Sequence, residues 1–426
     1  MLTQLPAAPS RGGRRSLLSI TALALAVLPV ATAQADPVFT WGSNQYGSIG
    51  NGTSSGNVLS PAPIVDGDND YDAVTAGGAH SLALKDGALF GWGLSVYAAT
   101  GYDTASTGTS VSTASPTLTS GVTDIAGGLY HSVAVVNGGA YGFGADFSGQ
   151  TGTGATPGSE VSVPTLITSL GSGVTQVSAG TQHSLALQNG AVYSFGLNNR
   201  GQLGTGASTV GTNSSVPVAV SGLGSGVTEI SAGADYALAV QNGDIYAWGS
   251  NDAGQVGNGT VATPVATPSL VLGIPDVGTT SSVAAGGKHG LALVDGVVYS
   301  WGDNTYGQLG DGGLVTSRSV AAAVAGILDP VVKVEAGFNH SYALTDEGNL
   351  YVWGDNRYGQ LGLGTSGSSV LAPQLLMAPE GYIFADIDVG GIANHATALL
   401  TPVPEPGSMA VLALGGGLLL RRKRLA

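Results

Sequence analysis

The chain has 426 residues, 70 of them glycine, with 43% apolar residues, 9% charged residues and no cysteine. The apolar share is too high for a disordered, solvating chain and the glycines follow no collagen period, while the missing cysteine excludes disulfides, thiolate metal sites and cysteine nucleophiles. Between residues 36 and 400 there are 26 acidic side chains against Lys85, Arg200, Lys288, Arg318, Lys333 and Arg357, a balance of −20 that repels phosphate backbones and excludes nucleic acid as a partner.

The first segment reads as an export signal. Arg11, Arg14 and Arg15 precede the mostly apolar run from Ser16 to Val30, and both Ala31-Thr32-Ala33 and Ala33-Gln34-Ala35 satisfy the small-x-small pattern of a signal-peptidase site. Residues 1–35 are expected to be a secretory signal peptide cleaved at Ala35.

One pattern then recurs seven times. WGSNQYGSIG starts at Trp41, WGLSVYAATG at Trp92, FGADFSGQTG at Phe143, FGLNNRGQLG at Phe195, WGSNDAGQVG at Trp248, WGDNTYGQLG at Trp301 and WGDNRYGQLG at Trp353. A second string runs in phase: AGGAHSLAL, GGLYHSVAV, AGTQHSLAL, AGADYALAV, AGGKHGLAL, AGFNHSYAL and GIANHATAL. Between the two lie Asp86-Gly87, Asn137-Gly138, Asn189-Gly190, Asn242-Gly243 and Asp295-Gly296, dipeptides that favour the type I′ hairpin turn. An alternating run such as GVTQVSAG and a Pro-led run such as SVPTLITSL complete four short strands per unit. Four-stranded sheets repeated radially are propeller blades, so residues 36–400 are expected to form an all-β, seven-bladed β-propeller. The last copy lacks its own Trp-Gly strand and the mature chain starts with PVFTWG, so the N-terminal strand is expected to complete the last blade.

The two strings resemble the repeat of the regulator of chromosome condensation family, with its G-x-N-x-x-G-Q-L-G and A-G-x-x-H-S-x-A-L signatures, across residues 37–400 and most closely in the last four copies. The second copy, WGLSVYAATG, departs most, lacking the Asn and the Gly-Gln pair. The resemblance implies the propeller fold. Its eukaryotic activity, nucleotide exchange on a small nuclear GTPase with chromatin binding, is disfavoured by the export signal and the negative charge. Secreted bacterial members include inhibitors that bind β-lactamases, which makes inhibition of an exported enzyme a variant to keep.

The C-terminus carries Pro404-Glu405-Pro406, a Gly-rich apolar stretch from Gly407 to Leu420, and the basic run Arg421, Arg422, Lys423 and Arg424. Fourteen residues make only about 21 Å of helix, short of the roughly 30 Å hydrocarbon core. The order of parts resembles the PEP-CTERM sorting signal of bacterial envelope proteins. That resemblance implies an exosortase-type processing enzyme acting at Pro404 to Pro406. It also implies transient anchoring in the membrane by residues 401–426, with the basic end left cytoplasmic. A plain tail anchor is the alternative.

Little catalytic chemistry is visible. His80, His131, His183, His289, His340 and His395 share one repeat position, with Tyr236 in the seventh copy, so they are expected on a ring, hydrogen-bonded within their own blades and too dispersed for a metal cage. The acidic run from Asp66 to Asp70 lacks the Gly and Glu of an EF-hand loop and is expected to be a solvated loop, with a weak calcium site as the alternative. Gly52 to Gly56 matches G-x-S-x-G and Gly362 to Gly367 matches G-x-G-x-x-G, but neither sits at the strand-turn-helix those motifs require. No catalytic residue, metal or cofactor is expected.

Binding is the better expectation. Five residues into each Trp-Gly string stand Tyr46, Tyr97, Ser148, Arg200, Ala253, Tyr306 and Tyr358. The four tyrosines fall in repeats that become neighbours once the ring closes, and would form one aromatic arc able to hold a protein or to stack on a sugar. The alternative is that each tyrosine packs on its own turn. The chain is thus expected to be a non-enzymatic, exported cell-envelope protein whose propeller face binds an envelope protein or polysaccharide, a secreted hydrolase or lyase being the less favoured class.

Overall fold

The computed structural model describes residues 36–65, 70–95, 97–101, 118–206, 210–275 and 280–403, the side chain of Ser281 excepted. The export segment with Ala35, the acidic loop at 66–69, and Pro404, Glu405 and Pro406 with the rest of the tail therefore lie outside the described residues. No helix among the described residues is long and apolar enough to cross a membrane.

The strands form seven sheets arranged in a ring. One blade shows the logic. Val174–Ala179 lies nearest the axis, followed outward by His183–Gln188, Ala191–Gly196 and Ser214–Ala219, all antiparallel. The second and third strands are joined by Asn189-Gly190 with φ of 52° and 79°, the left-handed pair that a type I′ turn demands, and the other four predicted hairpins repeat it. The second strand is almost wholly buried because neighbouring blades cover both of its faces, whereas the outer strand alternates toward solvent. Six sheets have four strands. The sheet of Ala73–Ala76, His80–Lys85 and Ala88–Gly93 shows three among the described residues, the Pro-led segment around Pro116 lying outside them.

Ring closure follows the expectation and goes further. Both Val38–Gly42 and Val58–Pro63 join Tyr382–Asp388 and His395–Pro402, so each end of the chain supplies two strands of the closing blade. The register runs from Val38 opposite Leu399 to Gly42 opposite His395. Two half-blades mated this way leave no open sheet edge between first and last repeat. The outermost edges carry Pro61, Pro164, Pro217, Pro268 and Pro373, which have no N–H to offer another strand. Where the blade of Trp301 has Ala321 instead, its N–H bonds Leu272 O of the neighbouring blade at 2.8 Å.

The Trp-Gly dipeptide has a mechanical reason. Each Gly lies at or within two residues of the end of its strand at φ between 97° and 108°, and a Cβ there would stand within 2.8 Å of the carbonyl oxygen just before the repeat's His or Tyr; only glycine meets both conditions. The indoles of Trp92, Trp248, Trp301 and Trp353 reach into the preceding repeat and donate to Ser48, Gln202, Gln255 and Gln308 carbonyls at 2.9 Å. Trp41 makes the same bond to Gln360 O across 319 residues, stitching the chain ends together.

Candidate binding face

The loops after the Trp-Gly strands and the A-G-x-x-H turns emerge at one end of the ring; the hairpins emerge at the other. The signature residues build the loop end from within. Asn44, Asn198, Asn251, Asn304 and Asn356 each accept, through Oδ1, the N–H five residues on, at 2.9–3.2 Å. Gln150, Gln202, Gln255, Gln308 and Gln360 accept, through Oε1, the N–H two residues before them, at 2.7–2.9 Å. These bonds pre-order the loops, so a partner that docks on them pays little ordering entropy.

Tyr306, Tyr358, Tyr46 and Tyr97 fall on four consecutive blades at this end, as ring closure requires. Tyr46 and Tyr358 are 37% and 40% exposed, while Tyr97 and Tyr306 are partly buried. The contacts cross between blades. Tyr97 packs edge-on against Phe147 at 5.1 Å and Tyr130 at 6.0 Å, both in the next blade. Tyr306 lies under the Arg357 guanidinium of the next blade, 4.2 Å from its ring centre, and Tyr358 is 5.9 Å from the same group. Ser148, in the copy directly after that of Tyr97, is buried. Arg357, Tyr130 and Phe147 were not singled out in the sequence; the visible signal was Arg beside Tyr in WGDNRYGQLG.

The histidines correct one expectation. They are buried as a ring, but their partners lie in the neighbouring blade, because the ring nitrogen points across the blade interface. His80, His131, His289 and His395 place Nε2 2.8–2.9 Å from Ser132, Ser184, Ser341 and Ser81 Oγ. Each serine donates to a carbonyl of the preceding loop, so the histidine must be the donor at Nε2. Burial holds all six neutral, with pKa values pushed down to about 3 or 4. Tyr236 instead donates its hydroxyl to His289 O; Gly290 stands where the other blades have serine or alanine.

The carboxylates meet in the central channel, a cavity of about 260 Å³ lined by the innermost strands. Asp124, Gln176, Glu229 and Lys333 share the repeat position seven before the His or Tyr, and reach to the inner strand of the next blade. Asp124 and Glu229 accept from Val177 and Val283 N–H at 2.7 and 3.0 Å, and Gln176 pairs with both backbone groups of Ile230. Strand edges that converge on the axis are thereby satisfied. Lys333 donates to Asp386 Oδ1 and Ile387 O at 2.8 Å and pairs with Glu335 at 3.2 Å, while Asp388 accepts from Thr75. Burial pushes the Asp124 and Glu229 carboxyls up to about 7 and Glu335 to about 8, and raises Asp388. Burial opposes the Lys333 charge, but Glu335, Asp386 and Asp388 outweigh it and raise its pKa. At the loop end the turn Gly390-Gly391 lies across the axis, Gly390 against Ala76 O and Gly391 against Ala232 and Ala285 O on other blades. No cluster of three metal-ligating side chains occurs among the described residues.

Comparison with known proteins agrees with this architecture. Residues 140–403 match the model of the RCC1-like domain and residues 36–84 that of the regulator of chromosome condensation (RCC1) repeat. The ultraviolet-B receptor UVR8 of Arabidopsis thaliana is 31% identical over 301 residues, covering 69% of this chain and 67% of that one. The E3 ubiquitin-protein ligase HERC2 of Mus musculus is 32% identical over 346 residues, 78% of this chain and 7% of the ligase. The human protein WBSCR16 superimposes with a TM-score of 0.75 at 25% identity, over 87% of this chain and all of that one. Prp20p of Saccharomyces cerevisiae does so with a TM-score of 0.76 at 21% identity, over 91% and 96%. Seven repeats, their signature loops and their closure together place the chain in the family of RCC1-like domain proteins.

Proposed function

We propose that the protein is a non-enzymatic binding module whose loop end, through Tyr46, Tyr97, Tyr306 and Tyr358, holds a protein partner outside the cytoplasm. The observation that carries this reading is the exposure of Tyr46 and Tyr358 on internally hydrogen-bonded loops of adjacent blades. Aromatic side chains on rigid loops give large contact area at small entropic cost. Relatives lend support: Prp20p is described by its binding to Gsp1p and histones, and yeast RCC1 was solved bound to Kap60. A binding role also suits the channel, where Asp124 and Glu229 are engaged with backbone N–H groups and Asp386 with Lys333.

The export signal and the Pro404-Glu405-Pro406 tail support placement in the cell envelope, with an exosortase-type enzyme as processing partner; inhibition of an exported enzyme is one form the binding can take. Intact mass of envelope material tests processing, a full-length mass refuting it. For binding, the chain is used to capture partners from envelope extract. Tyr46→Ala and Tyr358→Ala should each weaken capture by roughly 1 to 2 kcal/mol without lowering the melting temperature, and Ala253→Ser should do nothing. Lost stability with capture intact would assign these tyrosines to turn packing.

A further inference from the structure

The loops that carry the four tyrosines are nearly free of charge on a chain that is strongly acidic. Residues 43–57, 94–101, 303–316 and 355–369 hold four charged residues, Asp303, Asp311, Asp355 and Arg357, and Asp303 accepts from Thr305 and Gln308 of its own loop. Asp311 is largely covered and paired with Arg318 at 3.0 Å, and Asp355 is fully buried. Arg357 is the exposed one, with 43% of its side chain open. Depletion of charge, with tyrosine and arginine left over, is the composition of an interface core.

Arg357 is also held in place. Its Nε and Nη2 grip both oxygens of Asp355 at 2.9–3.1 Å, and its plane lies over Tyr306 in the neighbouring blade. The fork and the stack leave Nη1 without a hydrogen bond among the described residues. Because the counter-ion sits beneath and the guanidinium outside, the pair presents its positive end to whatever docks. A planar, pre-oriented guanidinium between tyrosines suits a carboxylate, with apolar groups on either side to cover the rings.

We infer that Arg357 is the anchor of the binding face and that it receives an aspartate or glutamate side chain, flanked by apolar residues, from a loop of a protein partner. This rests on the reading of the loop end as the binding face and adds the chemistry of what it binds. The rest of the surface, being acidic, repels such a loop, so the charge pattern directs it to this patch.

The test uses a phage-displayed library of disulfide-closed seven-residue loops, selected on the full chain and counter-selected on the double variant Asp355→Asn, Arg357→Met. That variant removes the guanidinium without stranding a buried carboxylate, and its melting curve establishes that it is folded. Selected loops should be enriched in Asp or Glu beside apolar residues. A synthetic representative should lose at least tenfold in affinity when its acid becomes the amide, and the acid should confer no advantage on the double variant. Arg357→Lys should lose most of the preference, since an ammonium cannot keep both fork and stack. Absence of acidic enrichment over the double variant overturns the carboxylate inference. If the selected loops still weaken with Tyr46→Ala and Tyr358→Ala, the binding face itself stands; if they ignore those variants too, the face falls with it. Neutral oligosaccharides bound in a tyrosine-dependent, Arg357-independent way would overturn the inference in favour of a glycan.

Discussion

Replacing Ala237 by serine should stabilise the propeller. At four blade junctions a buried histidine donates from Nε2 to a serine, which passes its own proton to a loop carbonyl. His183 and His340 have the same buried position and no partner at Nε2, because Ala237 and Ala396 stand where the serine should be. The serine fits opposite a tryptophan, as Ser81 opposite Trp92 and Ser341 opposite Trp353 show. At position 237 the acceptor is ready too: Gln202 O takes one bond, from Trp248 Nε1, where Gln308 O takes both an indole and a serine. Supplying a partner to an unsatisfied buried donor recovers about 1–3 kcal/mol. Ala396→Ser is the internal control. There Gln360 O already accepts from Trp41 Nε1 and from the Tyr342 hydroxyl, so the new serine finds its acceptor taken. Urea unfolding monitored by tryptophan fluorescence should show a raised midpoint for Ala237→Ser and none for Ala396→Ser, with unchanged slopes. A neutral or destabilising Ala237→Ser, or equal gains at both sites, would refute the hydrogen-bond argument.

Three further outcomes are expected. Stability should peak near pH 6.5–7 and fall as the solution is acidified: the six histidines have folded pKa values of about 3 or 4 against 6.5 unfolded, so below pH 6.5 the unfolded chain takes up more protons. The raised carboxyls of Asp124, Glu229, Glu335 and Asp388, with the less strongly raised Asp146 and Asp235, work oppositely, the folded state protonating first, but the large depression shared by all six histidines outweighs them; melting temperatures that rise steadily toward pH 4.5 would contradict this. Gly391→Ala should cost about 1–3 kcal/mol, since its Cβ would meet Ala285 O and stand 2.7 Å from Ala232 O, whereas Gly224→Ala enters open space and should be close to neutral in the same melt. Ser184→Ala should strand His131 as His183 is now stranded, lowering the urea midpoint by a similar 1–3 kcal/mol; an unchanged midpoint would show that the bond contributes nothing.

What the amino-acid order determined by itself is everything that acts within one repeat. Asn-Gly and Asp-Gly set the hairpins because the left-handed φ pair is a local property, and period-2 alternation set the strands for the same reason. Counting copies was enough to foresee the closing blade and the adjacency of Tyr306, Tyr358, Tyr46 and Tyr97. What only the tertiary structure decided lies between repeats. Four of the histidines bond a serine in the next blade, 52 or 53 residues on for His80, His131 and His289 and 314 residues away across the closure for His395, so the repeat register alone could not distinguish a bond within the blade from one across it. The tyrosines acquired Arg357, Tyr130 and Phe147 as neighbours in the same way. The channel needed all seven inner strands to converge before Asp124, Glu229, Lys333, Glu335 and Asp388 could perturb one another, because charge acts over distances through space and not along the chain. Gly390 and Gly391 look like any other pair among 70 glycines until the axis they cross exists.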